Sequence, residues 1–192
     1  MKRAYGITLV EVMMTLAVIG VVWALAAPSL GDMINRRRTL AVAEQLMADL
    51  AFARAETGLR NQAVGMTFDK DSSQSCYSVY YMRAASTCFC TAGQGEACKF
   101  FGSVVPGMEV RTISLPVGQG VSVTPDPLHW APGNDGRSFR FDLPQMVAIP
   151  AYAAFDIKGT SGAHLRLQVN QMGRVSLCSV GQQVGGVALC PQ

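Results

Sequence analysis

The chain has 192 residues, of which 49% are apolar and only 15% are charged, so the composition excludes an intrinsically disordered protein. The formal net charge is +3, and without Lys2 and Arg3 the chain has 14 basic against 13 acidic side chains. This balance excludes a strongly basic protein with a general affinity for polyanions.

The chain opens with a short basic segment, residues 1–6, and a long apolar run, residues 7–27. A run of this length can cross the roughly 30 Å hydrocarbon core of a bilayer as a helix. Arginines at residues 36–38 follow it, so basic residues flank both ends and the positive-inside rule does not decide the orientation. Cysteines in the part that follows favour an exported C-terminal domain and a cytoplasmic N-terminus.

Glu11 is the one charged side chain of the apolar run. A carboxylate at the centre of a membrane helix costs about 2.5–3.5 kcal/mol on insertion scales, so such a residue is a functional hypothesis by default. An ordinary secretory signal would instead be cut after the apolar run, where Ala27 ends a weak candidate site.

A second helical segment, residues 29–58, follows Pro28, which predicts a kink because proline removes a backbone hydrogen bond. Gly58 predicts the C-terminal stop of this helix. Its apolar stripe follows three- and four-residue steps. The stripe contains Leu40, Ala43, Leu46, Met47, Leu50, Ala53, Arg54 and Thr57. We therefore expect this amphipathic half to pack on the domain that follows.

Residues 59–192 have the pattern of a β-rich domain, with short alternating runs separated by Gly- and Pro-containing turns. The alternation is typical of antiparallel sheets with one buried face. The predicted strands are residues 63–68, 77–82, 109–115, 121–124, 138–143, 153–158, 165–170 and 174–179. Residues 87–99 are expected to form an irregular insertion held by cysteines.

All six cysteines lie after the apolar run, and none forms a Cys-x-x-Cys pair. An even number in an exported domain indicates disulfides. We expect Cys178 to pair with Cys190, since they close a Gly-rich turn. The other four, Cys76, Cys88, Cys90 and Cys98, would pair among themselves, with a direct Cys88–Cys90 bond disfavoured. A zinc site formed by these four is also disfavoured, because their spacing lacks the usual knuckle pattern; no metal and no cofactor are predicted.

The N-terminal sequence Gly6-Ile7-Thr8-Leu9-Val10-Glu11 and its apolar run resemble the prepilin motif of type IV pilins and type II secretion pseudopilins. The resemblance implies cleavage after Gly6 by a prepilin peptidase and N-methylation of Ile7, where the family usually has Phe. It implies that Glu11 then acts in filament assembly by pairing with the N-terminal amine of a neighbouring subunit, and it matches Pro28 to a common pilin proline.

The rest of the chain is similar to the GspH/FimT group of minor pilins, through residues 50–56, 60–64 and 169–175 together with Cys178. This resemblance implies an α+β, pilin-like fold. A long N-terminal helix, with a transmembrane half and an amphipathic half, would precede a C-terminal domain of two antiparallel β-sheets.

FimT-like members of this group are associated with DNA uptake through a Gly-Arg-x-Arg motif. This chain has Gly173-Arg174-Val175-Ser176 and lacks the second arginine. Arg174, with Arg166, is the candidate DNA contact, but phosphate binding depends on several accumulated contacts. DNA is therefore a disfavoured partner, and no catalytic motif predicts an enzyme.

The sequence thus predicts a minor pilin or pseudopilin, a structural subunit of a type II secretion pseudopilus or a type IV pilus. Its expected partners are other pilins or pseudopilins, a prepilin peptidase, the inner-membrane assembly platform and membrane lipid. The expected location is the bacterial inner membrane, crossed once, with the C-terminal domain in the periplasm. The alternatives are a DNA-binding minor pilin and a membrane-anchored periplasmic binding module outside any filament.

Overall fold

The computed structural model describes residues 8–83, 86–100, 103–105, 107–126 and 137–191. The chain divides into two compact units, Met1–Ile34 and Asn35–Gln192. The first helix, α1 (Leu9–Arg60), supplies the described part of the first unit and opens the second. The long N-terminal helix predicted from the apolar and amphipathic patterns is confirmed.

Helix α1 ends two residues later than Gly58 predicted. Asn61 follows the last helical residue with a φ of 50°, so asparagine takes the left-handed position at which a helix commonly stops. Gly58 has a packing role instead, because a Cβ built there would lie 2.7 Å from the sulfur of Met146.

The predicted amphipathic stripe is the buried face of the second half of α1. Ala43, Leu46, Leu50, Ala53 and Thr57 are all fully buried. They recur every three or four residues, so successive members lie on one side of the helix. The stripe packs into the hydrophobic core that the two larger sheets share.

The first sheet has five antiparallel strands in the order β6-β2-β1-β8-β9. The strands are β1 (Val64–Lys70), β2 (Gln74–Tyr81), β6 (Glu109–Pro116), β8 (Ser138–Asp142) and β9 (Val147–Ile149). The turn between β1 and β2 is capped by Asp71, whose carboxylate accepts hydrogen bonds from the backbone of Ser73 and Gln74. Strand β9 was not predicted, because three residues are too few to show an alternating pattern.

The second sheet has four antiparallel strands in the order β12-β11-β10-β7. They are β7 (Val121–Pro125), β10 (Tyr152–Gly159), β11 (His164–Asn170) and β12 (Val175–Ser179). The alternation in β11 is regular, with Leu165, Leu167 and Val169 fully buried. The inner faces of both sheets meet in an aromatic cluster, in which the ring centroids of Phe68 and Phe155 are 4.5 Å apart.

A third, small sheet in the order β3-β4-β5 occupies the segment that was expected to be irregular. Its strands are β3 (Ser86–Cys88), β4 (Cys98–Phe100) and β5 (Ser103–Val104). The expected irregular insertion, residues 87–99, is therefore wrong only at its two ends, where β3 and β4 lie; residues 89–97 between them contain no strand, only a single 3-10 turn at Cys90–Ala92. The pairing of β3 with β4 places Cys88 opposite Cys98, a contact that the local sequence pattern does not reveal.

Candidate assembly site

Thr8 and Glu11 form the start of helix α1. The hydroxyl oxygen of Thr8 accepts a hydrogen bond from the backbone N–H of Glu11 at 3.3 Å, and the Thr8 carbonyl accepts from the same N–H at 3.1 Å. Thr8 is therefore the N-cap, which satisfies a backbone donor that the helix itself cannot. Glu11 lies in the first turn, where the helix dipole favours a negative charge.

The carboxylate of Glu11 has no hydrogen bond and no ion pair among the residues that the structure describes. Gly6 and Ile7, the predicted cleavage and methylation positions, lie outside the described residues. Of the two groups in the predicted contact, the structure therefore describes only the exposed Glu11 carboxylate.

The large apolar side chains from Leu9 to Leu25 are all exposed, from 44% at Val12 to 76% at Leu25. Helix α1 is long and apolar enough to cross a membrane, with a mean hydropathy of 2.3 in its most apolar window and none of that window buried. A continuous apolar surface of this size needs lipid or other protein chains to cover it.

Helix α1 continues through Pro28, and the kink predicted there remains a prediction.

A buried carboxylate fastens the second half of α1 to the first sheet. Asp49 is 2% exposed and accepts a hydrogen bond from the hydroxyl of Tyr77 at 2.8 Å. Nη1 of Arg111 in β6 lies 2.6 Å from Asp49 Oδ1. Burial, with the nearby Asp49 carboxylate, raises the pKa of Tyr77, so the phenol stays protonated and keeps donating.

Glu56 makes a similar connection near the end of α1. Its Oε2 accepts hydrogen bonds from the hydroxyl of Tyr81 at 2.7 Å and from Nε of Arg60 at 2.6 Å. The Tyr81 hydrogen bond, followed by the Arg60 hydrogen bond, lowers the pKa of Glu56 below its ordinary value. The Arg60 guanidinium also lies 4.8 Å from the centre of the Tyr81 ring. These contacts join the last turns of the helix to β2.

Asn35 holds the start of the second unit to two loops of the β-domain. Its Nδ2 donates to the carbonyl of Gly120 at 3.0 Å, and its Oδ1 accepts from the backbone N–H of Ser161 at 3.0 Å. Gly159 lies tightly against this part of the helix, because a Cβ there would clash first with the Thr39 hydroxyl and then with Asn35 Oδ1, 2.7 Å away. Neither Asn35 nor Asp49 was predicted from the sequence. For Asp49 the available signal was a polar residue at a position of the apolar stripe.

Three disulfides cross-link the domain, and the described residues contain no free cysteine. Cys178 pairs with Cys190, the pair that the Gly-rich turn favoured. Among the other four, Cys76 of β2 pairs with Cys90, and Cys88 pairs with Cys98. Since each of these sulfurs is in a disulfide, none is available for zinc, and no metal-binding cluster occurs among the described residues.

The two arginines considered for DNA binding lie in different surroundings. Arg166 is held between two carboxylates, with Nε 2.9 Å from Asp156 Oδ1 and Nη2 3.0 Å from Asp126 Oδ2. The hydrogen bond to Asp156 raises the pKa of Arg166, and its positive charge is locally balanced. Arg174 is exposed in the β11–β12 turn, where its backbone N–H donates to Asn170. In the register of the hairpin Arg166 pairs with Cys178, whereas Arg174 lies in the turn before Val175, toward the other end.

Residues 1–27 match the family described as the prokaryotic N-terminal methylation motif. A crystal structure of the type IV minor pilin FimU from Pseudomonas aeruginosa strain PAO1 is similar to this chain with a TM-score of 0.52 and 17% identity. The match covers 77% of this chain and 96% of that one. The minor pseudopilin EpsH from the type 2 secretion system of Vibrio cholerae gives a TM-score of 0.47 and 13% identity, over 75% and 98% of the two chains.

The FimU likeness shows a shared fold, so the predicted pilin-like architecture is confirmed. No curated protein matches the sequence significantly. The methylation motif covers only residues 1–27, and the fold likeness covers most of the chain.

Proposed function

We propose that this protein is a minor pilin or pseudopilin, a structural subunit of a filament assembled from the bacterial inner membrane. The observation that carries the proposal is the uncovered apolar part of α1 with Glu11 in its first turn. The match of residues 1–27 to the methylation motif supports the same reading. A helix that needs lipid in one state and neighbouring helices in another suits a subunit that leaves the membrane for a filament.

In this proposal, a prepilin peptidase cuts after Gly6, and the new amine of Ile7 is methylated. The amine of one subunit then pairs with Glu11 of its neighbour inside the helical core. Both charges would be desolvated there, and removing one partner of such a pair costs about 3–5 kcal/mol. The pair would therefore set the register between subunits.

The similarity of residues 50–56, 60–64 and 169–175 to GspH/FimT proteins supports assignment to that group of minor pilins. The location would be the inner membrane, crossed once by the apolar part of α1, with the β-domain in the periplasm. Three disulfides in the β-domain support an oxidising compartment. Other pilins and the assembly platform would be its protein partners.

Cleavage is tested by co-expressing the full chain with a prepilin peptidase and measuring the intact mass. The expected product begins at Ile7 and carries one methyl group. The matched control is Gly6→Val, which should stay uncut. An uncut wild-type chain, or one cut after Ala27, would overturn the proposal in favour of a membrane-anchored module outside any filament.

Assembly is tested by chemical cross-linking of membranes that contain the whole filament system. Glu11→Gln should reduce cross-links between this subunit and its neighbours by at least a hundredfold, because it removes one partner of the charge pair. Glu44→Gln, an exposed carboxylate in the second half of α1, is the control and should leave them unchanged. Equal cross-linking by both variants would exclude the pairing role.

The DNA-binding alternative has less support, since Arg166 is engaged by Asp126 and Asp156. If DNA were the partner, the affinity of the full chain would fall steeply with salt, and Arg174→Ala would reduce that slope. A salt-independent affinity unaffected by Arg174→Ala would leave the filament role as the function.

A further inference from the structure

Three consecutive arginines, Arg36, Arg37 and Arg38, are exposed on the first turns of the second unit. No ion pair joins any of them to a carboxylate among the residues that the structure describes. Consecutive helical residues point about 100° apart, so the triplet surrounds much of the helix with positive charge. We call these three residues the arginine collar.

The chain itself keeps the collar near a bilayer surface if the apolar part of α1 is anchored in the membrane, so this inference rests on the proposed function. Arg36 stands nine positions after Ala27. Nine helical residues extend at most about 14 Å. Long arginine side chains can also reach back to the headgroup layer while their stems follow the helix.

A cavity of about 530 Å³ lies beside the collar, bounded by Arg38 on its basic side. Ala41, Val42 and Val121 give it apolar surface, and Gly118 and Gln119 complete it from the loop after β6. A solvent-open cavity whose lining is part apolar and part polar, with a cation at its edge, fits a molecule that joins an anion to a hydrocarbon chain. A free inorganic anion would use only the edge.

Basic residues also occur on the other side of the same loop. Lys70 and Lys158 line a cleft of about 240 Å³ together with Val117, whose side chain is 60% exposed. The hydrogen bond from Asn35 to Gly120 holds this loop at the level of the collar. The carboxylates nearest to these lysines in sequence are all engaged: Asp69 with Arg137, Asp71 in its own turn, and Asp156 with Arg166 and with Lys158, whose Nζ lies 3.9 Å away. Among the described residues, Lys70 and the collar therefore keep positive charge without an ion pair beside the loop.

We propose that the arginine collar and the adjoining cavity bind an anionic phospholipid. The arginines would contact the headgroup phosphate, and the cavity would take the apolar part of the lipid. Such binding would hold the β-domain against the membrane surface before the subunit enters a filament. Neighbouring basic residues attract anionic membranes by a factor of about five each.

The test is a fluorescence-anisotropy titration of the full chain in neutral detergent micelles with acyl-labelled phosphatidylglycerol, and with acyl-labelled phosphatidylcholine beside it. Phosphatidylglycerol should bind at least tenfold more tightly. Arg37→Gln with Arg38→Gln should weaken that binding about twenty-five-fold. The matched control is Lys99→Gln with Arg174→Gln, which removes the same charge at exposed positions elsewhere in the domain.

A second variant separates the cavity from the charge. Ala41→Phe keeps every arginine and places a bulky ring in the part of the cavity next to the collar, so it should also weaken phosphatidylglycerol binding. Soluble glycerol phosphate should fail to displace the labelled lipid; displacement at equal concentration would mean a small-anion site and overturn the lipid assignment. Equal binding of the two lipids, or equal loss in the two double variants, would overturn it as well.

The same samples keep this inference distinct from the proposed function. A chain that does not enter neutral micelles at all would contradict membrane anchoring itself. A chain that enters them and shows no lipid preference would contradict only the collar as a lipid site.

Discussion

Both halves of helix α1 carry apolar side chains, but these side chains lie in opposite surroundings. From Leu9 to Leu25 every large apolar side chain is exposed, whereas Leu46 and Leu50 in the second half are fully buried. Each half also carries a carboxylate in an apolar stretch. Asp49 has hydrogen-bond partners within the chain, and Glu11 has none among the described residues. Folding of the chain therefore covers the apolar face of the second half, whereas the apolar surface of the first half needs lipid or other protein chains to cover it.

The largest expected effect comes from truncating matched leucines in the two halves. Leu50→Ala should lower the free energy of unfolding of the β-domain by about 2–5 kcal/mol, because it leaves a cavity in the core. Leu16→Ala, at a side chain that is 63% exposed, should change it by less than about 0.5 kcal/mol. Denaturant unfolding of the full chain in micelles measures both. Similar losses would mean that the first half contributes to domain stability after all.

A smaller effect on the free energy of unfolding is expected at Asp49, and none at Glu11. Asp49→Ala should lower the free energy of unfolding by about 1–3 kcal/mol, since it leaves the buried Tyr77 hydroxyl without its acceptor. Glu11→Ala should leave that free energy unchanged, because its role is in assembly. The same denaturation experiment measures both variants.

A double-mutant cycle checks the cause of the Asp49 effect. Tyr77→Phe combined with Asp49→Ala should cost less than the sum of the two single changes, with a coupling energy above about 0.5 kcal/mol. Additive losses would show that Asp49 acts through Arg111 or through helix packing rather than through the Tyr77 hydrogen bond.

The smallest expected effect is a pH dependence at the end of α1. The hydrogen bonds from Tyr81 and Arg60 hold the pKa of Glu56 below its ordinary value of 4.5. Because the folded pKa is the lower one, this stabilisation is fully present above about pH 4.5 and is lost as the pH falls through the lowered pKa. Tyr81→Phe should raise the pKa of Glu56 toward its ordinary value, as measured by carboxyl NMR titration. Tyr152→Phe is the control, and an equal shift in both would exclude the Tyr81 hydrogen bond as the cause.

Local patterns predicted most of the fold correctly. The alternation in residues 165–170 predicted a strand, and the structure has β11 there. The three- and four-residue spacing of Ala43, Leu46 and Leu50 predicted the face of α1 that is buried. These elements could be predicted because one buried face imposes a period on the sequence. Strand β9 and the third sheet could not, because their strands of two or three residues are specified by their partners rather than by any period of their own.

In the candidate site, too, local sequence predicted some features, and others depend on distant contacts. Glu11 and the apolar run around it are adjacent in the chain, so the sequence alone was enough to single out the carboxylate and a helix that needs covering. The N-cap role of Thr8 was not predicted and comes from its hydrogen bond to the backbone of Glu11. Gly58, by contrast, has the composition of a helix stop, but the helix continues to Arg60, and Asn61, with a φ of 50°, takes the left-handed position that ends it.

By itself, then, the sequence determined a membrane-length helix with one carboxylate and a following β-rich domain, because both depend on the order of apolar and polar residues along the chain. Only the tertiary structure decided that Asp49 and Asn35 fasten that helix to the domain, that Arg166 is neutralised by Asp126 and Asp156, and that Cys76 pairs with Cys90. The physical reason is that each of these contacts joins positions from different strands, loops or helix turns. Their distances arise when the sheets pack, and no local pattern contains them.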